Sequence, residues 1–160
     1  MTAGRRYVAV VGSGSATGDD VRVAEAVGRG LGAAGAVVVC GGLGGAMEAA
    51  CRGAKEAGGT TVGLLPGHDR GAANPFVDVA IATGLGEARN ALVVRAADAL
   101  VAVGGSWGTL SEIALAIRTG TRVVGIGTWE LSLRGEPIEG VVAARSAEEA
   151  VALALEPGAD

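Results

Sequence analysis

Lysine, histidine and aromatic residues are nearly missing from this chain of 160 residues, and each shortage closes off a chemistry. Lys55 is the single lysine, whereas a pyridoxal enzyme needs a Schiff-base lysine at its ligand edge. It lies in a helical run away from the glycine turns, so a decarboxylase of that kind is excluded. His68 is the single histidine and reads as a solvated loop residue. Neither it nor Cys40 and Cys51 has metal-ligand spacing, so no metal site is expected. Without a secretory context the two cysteines read as free thiols. No basic run is present and the net charge is −4, which argues against a nucleic-acid polymer as partner. Arg5-Arg6 precede only a short apolar stretch before Gly12, too short for a signal core or a membrane span. The expectation is a cytoplasmic protein with no membrane contact.

Two cofactor motifs are missing as well. No glycine turn is followed by Gly-Lys-Ser/Thr, so a Walker P-loop is absent. Gly12, Gly14 and Gly18 are spaced one residue too long for the dinucleotide fingerprint. The second strand ends in Cys40-Gly41-Gly42, without the carboxylate that would hold a ribose hydroxyl. No resident cofactor is expected.

Glycine and small apolar residues are plentiful. The chain carries 29 glycines, far above the average usage of roughly 7%, and they cluster where strands meet helices. Apolar runs at Tyr7–Val11, Ala36–Cys40, Thr60–Leu65, Phe76–Ala82, Ala99–Val103 and Arg122–Ile126 read as strands, with a weak last strand over Gly140–Ala144. Helical patterns lie between them. The first is capped by Asp19 or Asp20 and runs to Ala34 on a Val23, Ala26, Val27 and Gly30 face; the last opens on a Ser146–Glu149 capping box. Thr128–Glu139 is a polar excursion. This alternation predicts one α/β domain over 1–160: a Rossmann-like, doubly wound, mostly parallel sheet of about seven strands with helices on both faces. Ligands of such sheets bind beyond the carboxyl ends of the strands, where the winding reverses. The turns after strands one, two and five belong to that edge.

The stretch 101–112 is the most informative. Val101-Ala102-Val103 leads through Gly104-Gly105-Ser106-Trp107-Gly108 into a helix whose Leu110, Ile113, Ala114 and Ile117 share one face. Thr109 and Glu112 have capping-box spacing, so the helix is expected to start there. A glycine turn feeding a helix N-terminus is a ready anion site. The expected ligand carries phosphate.

Gly104-Gly105-Ser106-Trp107-Gly108-Thr109 with Glu112 resembles the P-G-G-x-G-T-x-x-E motif of the LOG ("lonely guy") nucleotide-binding proteins. Supporting matches are Gly12-Ser13, Gly41-Gly42 with Gly45-Ala46-Met47, Gly63-Leu64-Leu65-Pro66, and Arg89. Some LOG proteins are cytokinin riboside monophosphate phosphoribohydrolases; others are described as possible lysine decarboxylases, which the single lysine contradicts. The runs Ala73–Asp78 and Thr83–Asn90 resemble a compact bacterial branch, to which molybdenum cofactor carrier proteins are similar. Gly104 and Ser106 replace the hydrolases' proline and second glycine, and Asn90 replaces their usual lysine.

The resemblance implies Arg89 and Glu112 as catalytic residues. It implies ligand contacts from Gly12, Ser13, Gly41, Gly42, Asn90, Gly104, Gly105, Ser106, Trp107, Gly108 and Thr109, and a homodimer or homotetramer. Read physically, Arg89 can grip a phosphate, with pairing to Glu87 or Asp98 as its structural alternative. Glu112 in a first helical turn is expected to be ionised, a stabiliser of an oxocarbenium-like ribose, or else only the partner of Thr109 in a cap. Trp107 is a stacking platform or a core residue. Two functions stand side by side. One is a phosphoribohydrolase acting on a nucleoside 5′-monophosphate; the other is a carrier that holds a nucleotide or a pterin phosphate without turnover.

Overall fold

A computed structural model describes residues 4–158. Its centre is a seven-stranded sheet with β1 (Tyr7–Gly12), β2 (Val37–Cys40), β3 (Thr60–Leu65), β4 (Val79–Ala82), β5 (Ala99–Val103), β6 (Arg122–Ile126) and β9 (Val141–Ala143). Every pairing in it is parallel, in the order β4-β3-β2-β1-β5-β6-β9. The central strands are uninterrupted apolar runs because both their faces are covered; all five residues of β5 are buried. The helices are α1 (Gly18–Ala33), α2 (Ala46–Glu56), α3 (Asn90–Arg95), α4 (Trp107–Thr119) and α5 (Ala147–Leu155). Val8, Val10 and Val101 face the core under α1, α2 and α5, while Ala9, Val11, Leu100 and Ala102 face the core under α3 and α4. The doubly wound α/β fold is therefore as expected.

Several local expectations shift. The fourth strand starts at Val79, not Phe76, because Asn74 turns the chain: its Oδ1 accepts the Phe76 N–H at 3.0 Å. The helical segment between the fourth and fifth strands opens as a single 3-10 turn, Gly86–Arg89, before the short α3. Thr17, not Asp19 or Asp20, is the cap of α1, and the two aspartates lie in its first turn. Its buried face is Ala24, Val27, Gly28 and Leu31, one step round from the face read in the sequence. The polar excursion holds a small hairpin, β7 (Ser132–Leu133) with β8 (Glu136–Pro137). Arg134 and Gly135 both take positive φ at its tip, as a two-residue type I′ turn requires.

The winding reverses between β1 and β5. From β1 the chain steps outward through β2, β3 and β4, then crosses back to β5, β6 and β9. The turns after β1, β2 and β5 therefore meet at one crevice above the carboxyl ends of the strands.

Candidate ligand-binding site

The first two turns interlock. The Ser13 carbonyl accepts the N–H of Ala46, the first residue of α2, at 3.0 Å. Gly12 ends β1 between Ala46 and the Val103 carbonyl, with no room for a larger side chain. The Ser13 hydroxyl serves its own turn, accepting the Ser15 N–H at 3.1 Å. Gly42 accepts through its carbonyl from the N–H of Asn74 at 2.9 Å, so the loop before β4 closes over the second turn.

Arg89 reaches into this crevice from the 3-10 turn. Its Nε donates to the Leu64 carbonyl at 2.9 Å and its Nη1 donates to Asn90 Oδ1. Its Nη2 stands over Gly41, where an added Cβ would lie 2.8 Å away. Among the described residues Arg89 forms no salt bridge, and neither Glu87 nor Asp98 pairs with it. Asp98 instead accepts the Tyr7 N–H at 2.8 Å at the entry to β1. Asn90 Nδ2 lies 3.4 Å from the Ser111 hydroxyl, tying the start of α3 to the first turns of α4.

The third turn departs from its expected cap. Ser106, not Thr109, is the cap of α4, and its hydroxyl accepts the Thr109 N–H at 3.3 Å. Two overlapping patterns, Ser106-x-x-Thr109 and Thr109-x-x-Glu112, compete for the helix start. The extended backbone of Ser106 (φ −136°, ψ 179°) decides for the first. α4 starts at Trp107, and Thr109, Glu112, Ile113 and Ala116 face inward, in place of the expected Leu110, Ile113, Ala114 and Ile117 stripe. Glu112 is thereby carried past the first turn and into the protein.

Its ionisation is the reverse of the expectation. Burial pushes the Glu112 carboxyl up to about 7, and the nearby Arg89 guanidinium offsets this only in part. Near neutral pH it is a shared proton donor and acceptor, not a fixed anion. Behind it, the buried Cys40 and Cys51 sulfurs lie 3.5 Å apart as free thiols. Their shared hydrogen bond, together with burial, holds the Cys51 thiol protonated far above its usual range.

Gly104 takes φ +61°, and the Asp20 carboxylate of α1 sits where its Cβ would be. A proline, with φ held near −65°, cannot occupy this backbone. Trp107 is 78% exposed, which rules out the core reading, and its ring lies against Trp129 with centroids 5.3 Å apart.

A family model described as the SLOG cluster4 family matches residues 5–157. The chain belongs to this SLOG family. A molybdenum cofactor binding protein from the phototrophic bacterium Rippkaea orientalis is similar to it, with 34% identity over 95% of this chain and 96% of that one and a TM-score of 0.86. The Moco carrier protein of Chlamydomonas reinhardtii is 35% identical over 92% of this chain and 94% of its own, with a TM-score of 0.82. An uncharacterized protein of Archaeoglobus fulgidus is 44% identical over 119 residues, 74% of this chain and 78% of that relative.

Three further residues of this SLOG chain stand at the crevice without having been singled out in its sequence. Asp20 read as a helix-cap residue; Thr128 and Trp129 lay in the polar excursion. Trp129 Nε1 donates to the Ser106 carbonyl at 3.1 Å and its ring edge fills the space beside Gly105. The one available signal was an aromatic residue two positions beyond Gly127, just after the carboxyl end of β6. Lys55 and His68 play no part in the crevice. Lys55 pairs with Asp78 at 2.8 Å, and His68 is exposed against Gly84. Among the described residues no helix is long and apolar enough to cross a membrane.

Proposed function

We propose that this SLOG-family protein binds a phosphate-bearing small molecule, a nucleotide or a pterin phosphate such as the molybdenum cofactor, and holds it without turnover. The binding half of the reading rests on the crevice. Three glycine turns let a ligand approach the backbone, the N-terminus of α4 favours an anion, and Arg89 offers a guanidinium edge that forms no salt bridge among the described residues. Asn90 and Gly108 flank the same point, so the phosphate would lie between Arg89 and the start of α4. The organic, phosphate-bearing end of a cofactor cargo fits this cradle.

The observation that carries the carrier half is the backbone of Gly104. The hydrolase motif begins with proline, and φ +61° lies outside proline's reach. This turn is therefore built differently from the hydrolase turn, with the Asp20 carboxylate set against it. Similarity to proteins named for molybdenum cofactor binding and carriage, at 34% and 35% identity over nearly the whole chain, supports the same choice.

One observation favours the second reading, a nucleoside 5′-monophosphate phosphoribohydrolase. A buried carboxyl near 7 beside an arginine suits a proton donor to a leaving base. Prolonged incubation with a panel of nucleoside monophosphates, followed by chromatography for free base and ribose 5-phosphate, decides between the two. The carrier reading expects bound ligand to be recovered intact. Release of free base that Glu112→Gln slows by a hundredfold or more, the usual order for such a group, would establish the hydrolase instead.

A further inference from the structure

Beside the phosphate cradle lies a second concavity. A cavity of about 330 Å³ opens between the carboxyl end of β6 and the 128–139 excursion, bounded by Gly125, Thr128, Trp129, Glu130, Ile138 and Val141. It is within the range of about 300–1,000 Å³ typical of small-molecule sites. A shallower cleft of about 300 Å³ joins it to the glycine turn, running from Gly104 and Gly105 across Gly127 to the same Thr128, Trp129 and Glu130. A ligand with its phosphate on the turn thus has a continuous path into the cavity.

Three features of this cavity are those of a ring-binding pocket. The Trp129 indole forms one wall, fixed by its hydrogen bond to Ser106 and by the Trp107 ring beside it. Thr128 lines the cavity, and its hydroxyl oxygen is buried with no hydrogen-bond partner among the described residues. Buried polar atoms are nearly always paired, so an unpaired one on a cavity-lining residue marks a place where rotation of the side chain lets a ligand atom complete the bond. Finally, Glu130 brings an exposed carboxylate to the mouth, a group that only accepts hydrogen bonds when ionised.

We propose that this cavity takes the ring of the bound ligand and selects a bicyclic heterocycle with a 2-amino-4-oxo edge, the edge that guanine and pterins share. That edge offers two adjacent N–H donors, which the two oxygens of Glu130 accept together, and a keto oxygen to which the Thr128 hydroxyl donates. Adenine presents an acceptor nitrogen beside its amino group, so its lone pair opposes the carboxylate. The ring stacks on Trp129. This inference rests on the phosphate-binding reading above for the other end of the ligand.

Trp107 and Trp129 are the only tryptophans in the sequence, so intrinsic fluorescence reports directly on this wall. The probes are ribose 5-phosphate, AMP, GMP, guanosine and a 6-substituted pterin phosphate, with affinities measured in parallel by calorimetry. GMP, the pterin phosphate or both are expected to quench the emission and to bind roughly ten- to a hundredfold more tightly than ribose 5-phosphate. The tighter of the two identifies the source of the edge. Glu130→Gln, at an exposed position, is expected to bring GMP down to the affinity of AMP, and Thr128→Val to weaken GMP without changing ribose 5-phosphate. Equal affinities for GMP, the pterin phosphate and ribose 5-phosphate, with no quenching, would overturn the ring pocket and leave the phosphate site standing. Equal affinities for GMP and guanosine, with quenching, would do the opposite. Absence of binding by all five probes would overturn both.

Discussion

At the scale of single residues, Glu112 concentrates the physics of the site. It is buried on the inner face of α4 and raised from an ordinary 4.5 to about 7, with burial the larger cause and Arg89 opposing it. The sign of its effect on stability follows. Between pH 4.5 and 7 the folded protein holds a proton that the unfolded chain has released, so stability falls as pH rises through that window. Above it the full cost remains, up to about 3 kcal/mol. Glu112→Gln removes the charge and keeps the shape. The variant is expected to match the wild type in thermal melts at pH 4 and to exceed it at pH 8. A stability difference that does not change with pH would show that Glu112 is not held in this environment. The sequence displayed Glu112 but not its surroundings. Its spacing from Thr109 fits a cap as well as a buried acid, and only the packing of the Thr109, Glu112, Ile113 and Ala116 face turns it inward.

At the scale of elements, much was legible and for identifiable reasons. Buried parallel strands such as Val37–Cys40 and Ala99–Val103 read as unbroken apolar runs, and the glycine clusters mark the crossover edge on their carboxyl side. Faces of helices were less legible, because Ala, Gly and Val are so frequent in α1 that several stripes fit equally well. Packing makes the choice. A Cβ on Gly28 would fall on the Ala50 carbonyl of α2, and one on Gly53 would fall on the Glu25 carbonyl of α1. The two helices therefore touch backbone to backbone through reciprocal glycines. Gly28→Ala gains up to about 1 kcal/mol of helix propensity. It also forces a backbone apart, and overpacking of this kind costs about 1–3 kcal/mol. The expected net result is a melting temperature lower by a few degrees; an unchanged or higher one would contradict the close approach. The pairing of Trp107 with Trp129 was not legible at all. It joins the first residue of α4 to the loop after β6, and no periodicity in either stretch announces it.

At the scale of the whole molecule, the edge of the sheet points to assembly. β4 is a terminal strand whose Val79 and Ile81, on one face by alternation, are 47% and 45% exposed. An apolar edge strand exposed to water is seldom left open. A second copy of this chain covering it agrees with the dimer or tetramer that the LOG resemblance implies. Light scattering at micromolar concentration is expected to give at least a dimer, and Ile81→Lys to shift it toward monomer; a monomeric wild type would refute this. The central claim concerns the crevice where the winding reverses, and calorimetric titration of GMP against guanosine tests it most directly. A charge-assisted contact contributes about 1.5–3 kcal/mol, or roughly ten- to a hundredfold in affinity. The account predicts that GMP binds more tightly than guanosine by at least that factor, and that Arg89→Ala removes most of the difference. Equal affinities for the two ligands in the wild-type protein would contradict it.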